Sequence, residues 1–251
     1  MTDREPPLSA AEREEIIDLY EGLRVTDVVD GLDYSGFWND LHSVSKEIGP
    51  LYRDVDSFSH RFSGFANTHR FLPTNKPRDM PNDLDFETAT EWRNDWYGDL
   101  SGGPSEVREH DVIVVEAHEL DVGIIGSANA LAWTADGANG VLTNGGPRDT
   151  DELIKQGIPV YSKDINKPII PGRCEFDAEQ IPVNVGGCLI RPGDFIVADG
   201  DGVVVVPIEH VDDVADAARR EQQADQEMRA ELYEKAGLEH DFTLEQPSSR
   251  E

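Results

Sequence analysis

The run IPVNVGGCLIRPGDFIVADGDGVVVVP, Ile181 to Pro207, leaves a folding chain few choices. Its apolar residues come in short, β-branched segments, and the sequences RPGD and DGDG between them are turn chemistry, so the run predicts several strands joined by those two turns. Upstream, HDVIVVEA predicts a buried strand, SANALAWTADG a helix ended by Gly137, and GVLTN (Gly140 to Asn144) a further strand. DTDELIKQG then carries helix-start chemistry, with Asp149 at the N-cap, Glu152 three residues on as in a capping box, and Gly157 closing the helix. Strand, helix, strand, helix is an α/β order, and IPVYSKD adds another short strand.

The flanking regions are predicted from periodicity and caps. LSAAEREEIIDLYEGL sets Ile16, Ile17, Tyr20 and Leu23 at helical spacing behind Ser9 as cap, and VTDVVDGLDY predicts a second, short helix capped by Thr26. Together they form an N-terminal helical segment over about 9–35. Ser57 to Leu72 tends towards alternation and is rich in aromatics, which predicts strand. The stretch 73–105 is irregular, carries Trp92, Trp96 and Tyr97, and reads as an insertion containing one short helix. Residues 208–236 predict a charged amphipathic helix, with the last dozen residues frayed. No repeat and no linker divides the sequence, so 1–251 is expected to be a single domain.

Charge narrows the function classes. Lys plus Arg is 22 against 51 for Asp plus Glu, a formal net charge of -29. Such a chain repels phosphate backbones and anionic membranes, so neither nucleic acid nor membrane is an expected partner, and an anionic substrate needs a local positive pocket. The acidity is spread along the chain and Lys is scarce relative to Arg. At molar salt, where the Debye length is about 3 Å, that surface loses most of its self-repulsion, and a halophilic cytoplasm is the expectation. The N-terminus MTDREPPLSAAERE is too charged for a signal peptide, and no stretch approaches the roughly 18 apolar residues of a membrane span. Cys174 and Cys188 form neither a CxxC pair nor a disulfide framework.

Two segments carry candidate chemistry. Arg148 stands where a helix is about to begin, and the helix N-terminus carries about half a positive charge, so the cation calls for an anion between them. An isolated Arg-Asp pair would read as a surface ion pair and a cap. Here Gly145 and Gly146 remove side chains so that a ligand or another backbone can approach, and Pro147 stiffens the turn. In GIIGSANALAW, Gly126, Ser127, Ala128 and Asn129 would present backbone N–H groups at a helix start, a cradle for a carboxylate; the plainer reading is a glycine turn with Ser127 as cap. The strand, helix, strand connection favours a site shared with Arg148. His60 and His69 have no partner at metal-ligand spacing and are read as structural. DGDG lacks the downstream glutamate of an EF-hand and is read as a turn. Glu116 and His118 end a strand, either reaching a cleft or solvated. GxSxG, Walker A, Rossmann and HExxH motifs do not occur.

From about Asp111 to Pro207, NGVLTNGGPRDTDEL, IPVYSKD and the run quoted first resemble the RraA-like superfamily, which includes class II 4-hydroxy-4-methyl-2-oxoglutarate and 4-carboxy-4-hydroxy-2-oxoadipate aldolases and the regulator of RNase E activity. VTDVVDGL resembles the family's N-terminal helix, while the insertion has no counterpart. The resemblance implies a layered β/β/α swivelling-domain fold of the α/β class, assembled as a homotrimer or dimer of trimers with sites at subunit interfaces. It further implies that Arg148 contacts a small 2-oxo acid and stabilises its enolate, that Asp149 holds Mg²⁺ or Mn²⁺ largely through water, and that the amides of Gly126 to Asn129 bind the substrate carboxylate. Glu221, early on the C-terminal helix, is the candidate acid contributed to a neighbour's site. The aldolases carry an acidic residue after the upstream glycine, where this chain has Ser127; loss of a general base typically costs about 10² to 10⁴ in rate. A metal-dependent lyase acting on a related 2-oxo acid, by aldol cleavage or decarboxylation, is therefore one expectation, and a noncatalytic regulatory binding protein is the other.

Overall fold

The computed structural model describes residues 7–38, 40–76, 85–100, 103–118 and 120–244. Its strands, in chain order, are β1 (Gly49–Pro50), β2 (Phe62–Pro73), β3 (Asp111–Glu116), β4 (Gly123–Ile125), β5 (Ala138–Thr143), β6 (Gly146–Pro147), β7 (Val160–Ser162), β8 (Cys174–Glu179), β9 (Val183–Val185), β10 (Cys188–Ile190), β11 (Phe195–Asp199) and β12 (Gly202–Val206). The α-helices are α1 (Ala10–Tyr20), α2 (Val25–Tyr34), α3 (Phe86–Leu100), α4 (Ser127–Ala135), α5 (Thr150–Lys155) and α6 (Val211–Ala236). The expected frayed tail lies mostly outside the described residues, as do 77–84 and 101–102 of the insertion and the first six residues of the N-terminus.

The main sheet runs β1-β7-β5-β3-β2-β11-β12, with β8 pairing β2 off this path. Strands β2, β3, β5 and β7 are parallel, and β11, β12, β8 and β1 join antiparallel, so the fold is mixed α/β. The sheet curls nearly into a barrel. Across the seam, the Tyr161 hydroxyl on β7 bonds the carbonyls of Asp199 (2.9 Å), at the end of β11, and His60 (3.0 Å).

Strict alternation divides the sheet residues between an inside and an outside. Val112 and Val114 of β3, Leu142, Tyr161, Ile196, Ala198, Val203 and Val205 fill the interior. On the outer face Phe65, Phe195, Val197, Val204 and Val206 meet α1, α2 and α6. The other outer half, with Phe71, Ile113, Val115, Val141 and Val160, is covered by β4, α4 and α5. β3 is buried along its whole length because it is sandwiched in this way, which is why its sequence is an unbroken apolar run.

Local chemistry explains most element ends. Ser9 caps α1 as expected, and Glu12 completes a capping box with it. RPGD is a turn closed by Arg191 N–H to the Asp194 carboxylate (2.7 Å), and in DGDG the Asp199 carboxylate takes the N–H of Asp201 (2.8 Å) and that of Val25 (2.9 Å). The start of α2 differs from expectation: Arg24, not Thr26, is the N-cap residue, and the Asp27 carboxylate accepts the Arg24 N–H (2.8 Å) while pairing with its guanidinium. The helix of the insertion, α3, is 15 residues long rather than short. β8 follows a proline-rich stretch with no alternation to advertise it, and it exists because the far half of β2 leaves an edge to pair. Both cysteines are free and buried. Among the described residues no helix is long and apolar enough to cross a membrane.

α6 buries Val211, Val214, Ala215, Ala218 and Gln222, a stripe at helical spacing, against α2. The two helices touch at Gly31, where a Cβ would stand 2.6 Å from the Val214 carbonyl oxygen. Gly31→Ala should therefore lower stability by about 1–3 kcal/mol despite the better helix propensity of alanine, because the clash is with backbone. Urea denaturation checks this, and an unchanged or raised midpoint would show that the helix pair can separate at little cost.

Candidate active site

The candidate site is made by a second, small sheet in which β4 and β6 run parallel, with Gly123 opposite Gly146 and Ile125 opposite Pro147. The Arg148 N–H continues the ladder to the Ile125 carbonyl (2.8 Å). Arg148 and Asp149 thus leave β6 beside the point where Gly126 opens α4. The packing is close. A Cβ on Gly123 would lie 3.0 Å from both Cβ and Cδ of Arg148, and one on Gly126 would lie 2.9 Å from Oδ2 of Asp149 and 3.7 Å from Cγ of Arg148. The two glycines upstream are the cradle of the Arg-Asp pair.

At Gly145 and Gly146 the close approach expected of a ligand or another backbone is made by the protein itself. A Cβ on Gly145 would meet that of Ala117 at 2.9 Å, and one on Gly146 would meet the Asn166 amide nitrogen at 2.6 Å. They admit other parts of the protein. Asn166, buried in the loop after β7, donates to the carbonyls of Leu120 (3.1 Å) and Val122 (3.4 Å), while its own N–H reaches Pro147 O (3.0 Å). It staples β4 to β6. Nothing local in SKDINKP announces this role, since both partners lie outside its own segment.

Asp149 occupies the N-cap position of α5 with φ 55 and ψ 42, a left-handed conformation, and its side chain caps nothing. The expected capping box is absent, because a left-handed residue cannot aim its carboxylate back at the following amides as an extended cap does. Aspartate tolerates this region better than most residues. The carboxylate turns instead to the Gly126 side, with Oδ1 3.3 Å from Nε of Arg148. The anion called for beside Arg148 is in the first instance Asp149. That contact engages one edge of the guanidinium. Its terminal nitrogens have no partner among the described residues, and the side chain is one-third exposed.

The N-cap of α4 is Gly126, one residue before the expected Ser127, and the first intrahelical bond runs from Ala130 N–H to Gly126 O (3.1 Å). The N–H groups of Ser127, Ala128 and Asn129 precede it and point out of the helix start beside Asp149. The result is a group of a guanidinium, a carboxylate and helix-start amides whose chemistry suits a carboxylate with an adjacent keto oxygen.

Glu221 is not part of this group within one chain. It lies on α6, over the other half of the sheet, where it accepts a hydrogen bond from the Tyr34 hydroxyl. Glu116 is buried at the end of β3, accepting from Asn184 N–H (3.2 Å), with His118 3.8 Å away. His60 is structural: its Nδ1 accepts from Asp54 N–H (3.2 Å) and its carbonyl from Tyr161. For a metal, the described residues offer no cluster of three or more His, Cys, Asp or Glu side chains. A lone carboxylate at Asp149 suits a hard cation that keeps most of its waters and is completed by a ligand's oxygens, and does not suit a zinc centre.

Comparison with known proteins gives the family. Residues 25–205 match the RraA-like family, described as aldolase/RraA, and the chain belongs to that family. A putative 4-hydroxy-4-methyl-2-oxoglutarate aldolase of Deinococcus radiodurans is 32% identical over 99 residues, 39% of this chain and 61% of that protein. Protein DlpA of Legionella pneumophila is 25% identical over 146 residues, 57% of this chain. The match spans only 24% of DlpA, so the chain covers less than two thirds of either relative. Among solved structures, Streptomyces coelicolor RraAS2, described as an unusual member of the RNase ES inhibitor RraA protein family, superposes with a TM-score of 0.66 at 22% identity, covering 86% of this chain and 96% of that one. That likeness bears on the fold alone.

Two outcomes follow from the packing. Gly126→Ala should keep the fold, since Gly126 has an ordinary φ of -113, yet rotate the Asp149 carboxylate away from α4. A crystal structure of the variant with Oδ2 unmoved would mean that the contact is slack. The second concerns His69, which is 1% exposed. Burial lowers its pKa to about 4 against the opposing charges of Glu179 and Asp111. The unfolded ring takes up a proton near its ordinary value of about 6.5 while the folded ring refuses it, so stability falls on acidification across that window by at most roughly 1.4 kcal/mol per pH unit. Buried Asp194, pushed up to about 6, works with the opposite sign between its ordinary value and 6. The expected signature is thus a difference: the stability gap between wild type and His69→Phe narrows from about pH 6.5 to 4 and is flat above about 7, as read by urea denaturation.

Proposed function

We propose that this chain is a divalent-metal-dependent lyase that cleaves a C–C bond of a small 2-oxo acid through an enolate. The observation that carries the reading is the Arg148–Asp149 pair packed on Gly123 and Gly126 beside the helix-start amides of α4. The amides of Ser127, Ala128 and Asn129 bind the substrate carboxylate. Arg148, with its terminal nitrogens open, donates to the keto oxygen and stabilises the charge that develops there. Asp149 holds Mg²⁺ or Mn²⁺, which when bound supplies Lewis-acid polarisation of the same oxygen. Cleavage leaves the bonding electron pair on the carbon next to the keto group; in an aldol cleavage the other fragment departs as a carbonyl compound as its hydroxyl proton passes to water, in a decarboxylation it departs as CO₂, and a proton from water converts the enolate to pyruvate or a related 2-oxo acid. Ser127 cannot serve as a general base, so proton transfer falls to water or to a neighbouring subunit. In a homotrimer or dimer of trimers, Glu221 is the acid offered across the interface.

The second reading, a noncatalytic regulator that docks on another enzyme, draws on the same Ser127, since a site lacking its base can still bind. In either case nucleic acid and membrane are not proposed partners of so acidic a chain. The acid-rich surface fits a salt-rich cytoplasm, and assays belong at high KCl.

The test is a panel of 2-oxo acids scored for pyruvate release with and without Mg²⁺ or Mn²⁺. Arg148→Ala should lower kcat by about 10² to 10³, the usual effect of removing an oxyanion donor, while metal affinity persists. Asp149→Asn should abolish metal-dependent turnover yet stay folded, because asparagine also accepts the left-handed conformation. Turnover undiminished by EDTA would remove Asp149 from a metal role, and inactivity across the panel would favour the regulator.

A further inference from the structure

A cleft of about 250 Å³ lies at the start of β3, between the residues that lead into α1 and the turn before β11, and it shares no wall with the Arg148–Asp149 pair. Leu8, Phe65, Ala66 and Pro192 give it hydrocarbon. Arg13, Asn67 and Asp111, all buried, give it polar groups, and Ser105, Arg108 and Gln180 stand exposed at its rim. Such a mixed lining suits a ligand with one polar end and one apolar end.

What the polar groups have left to offer follows from the bonds they already make. Asn67 gives both N–H groups of its amide to the Glu106 carbonyl (2.9 Å) and the Asp111 carboxylate (2.9 Å), and its Oδ1 accepts from Gln180 Nε2 (2.7 Å). Asp111 also accepts from Arg13 Nη2 (2.8 Å) and the Arg108 N–H (3.0 Å), and Glu106 takes Nε and Nη2 of Arg108 (3.2 and 3.1 Å). The acids are therefore spent. Arg13 uses Nε and Nη2 on the Glu109 carbonyl and Asp111, while its Nη1 has no partner among the described residues and, unlike the buried unpartnered atoms of His69 and Trp96, is within reach of solvent. The guanidinium lies 4.1 Å over the Phe65 ring, and Phe65 and Asp111 on either side of it both wall the cleft, so Nη1 opens there. Burial pulls the Arg13 pKa below its ordinary value more than Asp111 restores it, and nearby Arg108 adds to the fall. A cation so placed gains from a further anion.

We propose that this cleft binds a small monocarboxylate with a compact apolar tail, the carboxylate accepting from Arg13 Nη1 and the tail lying against Leu8, Phe65 and Pro192. A cavity of about 150 Å³ already takes a benzene ring, so there is room here for a ring and its carboxylate. Charge decides the polar end, because a hydrogen bond between two ionised groups is about twice as strong as one between neutral groups. Glu106, Glu109 and Asp111 stand close by and repel a second negative charge, which sets a monocarboxylate apart from a diacid. Gln180 Oε1 stays at the exposed rim, where water serves it. The proposal does not rest on the lyase reading, since it needs neither metal nor keto group and uses none of the same residues.

The test titrates benzoate, benzamide and acetate calorimetrically into the full chain without metal. Wild type should bind benzoate about tenfold more tightly than benzamide, for the charge, and about tenfold more tightly than acetate, for the ring. Nuclear Overhauser contacts should join the benzoate ring protons to the Leu8 methyl groups. Ser105→Glu, an exposed change that sets another anion at the rim, should weaken benzoate about fivefold and leave benzamide unaffected. Arg13→Gln should erase the preference for benzoate over benzamide; should that variant not fold, Ser105→Glu and the Leu8 contacts decide the matter. Arg148→Ala should leave benzoate affinity unchanged. Equal affinities for benzoate and benzamide, no binding of benzoate at millimolar concentration, or an affinity lost in Arg148→Ala and kept in Ser105→Glu would each overturn the proposal. None of these outcomes touches pyruvate release, so the two readings fail separately.

Discussion

A strand of twelve residues that needs a partner along both edges is the constraint on which the rest of the structure depends. β2 pairs β3 in parallel over Phe65 to Arg70, β11 over Phe62 to Phe65, and β8 over His69 to Pro73. Every unpaired N–H and C=O on so long a buried strand would carry a desolvation cost, so the ladder dictates which segments must come together. Its side chains, alternating outward, then serve both helical layers: Phe65 packs with α1, α2 and α6, and Phe71 with the layer that holds the candidate site. Asn67 and His69 fall between them and carry the buried polar network.

The candidate site depends on close approach more than on attraction. The Arg148–Asp149 contact is a partly exposed ion pair, of a kind worth little by itself. What holds the pair in position is the absence of side chains at Gly123 and Gly126 and the staple formed by Asn166. Such a site is rigid on its protein side and open toward solvent, which suits recognition of a small anion by groups that need not reorganise.

Arginine usage separates framework from site. Arg13 ties α1 to Asp111 and the Glu109 carbonyl, Arg24 bridges Asp27 and Asp225, and Arg219 takes the last carbonyls around the end of α1 at Leu19 and Glu21. Each makes three or more side-chain hydrogen bonds within the fold. Arg148 makes a single edge contact, and in a chain of formal charge -29 an arginine with open nitrogens is a local exception to the overall field.

The sequence by itself determined whatever rests on interactions within a few residues. The Ser9–Glu12 box, the RPGD and DGDG turns, the doubly buried run of β3, the stripe of α6 and the position of Arg148 and Asp149 between a strand and a helix are all legible locally, because turns, caps and periodicity have short range. The tertiary structure alone decided the β4–β6 pairing, the cradle at Gly123 and Gly126, the staple at Asn166, and the left-handed turn that takes Asp149 off its cap. Each of these joins residues far apart in the chain, and which distant segments meet is set by the register of β2 and its neighbours, a quantity no local window contains.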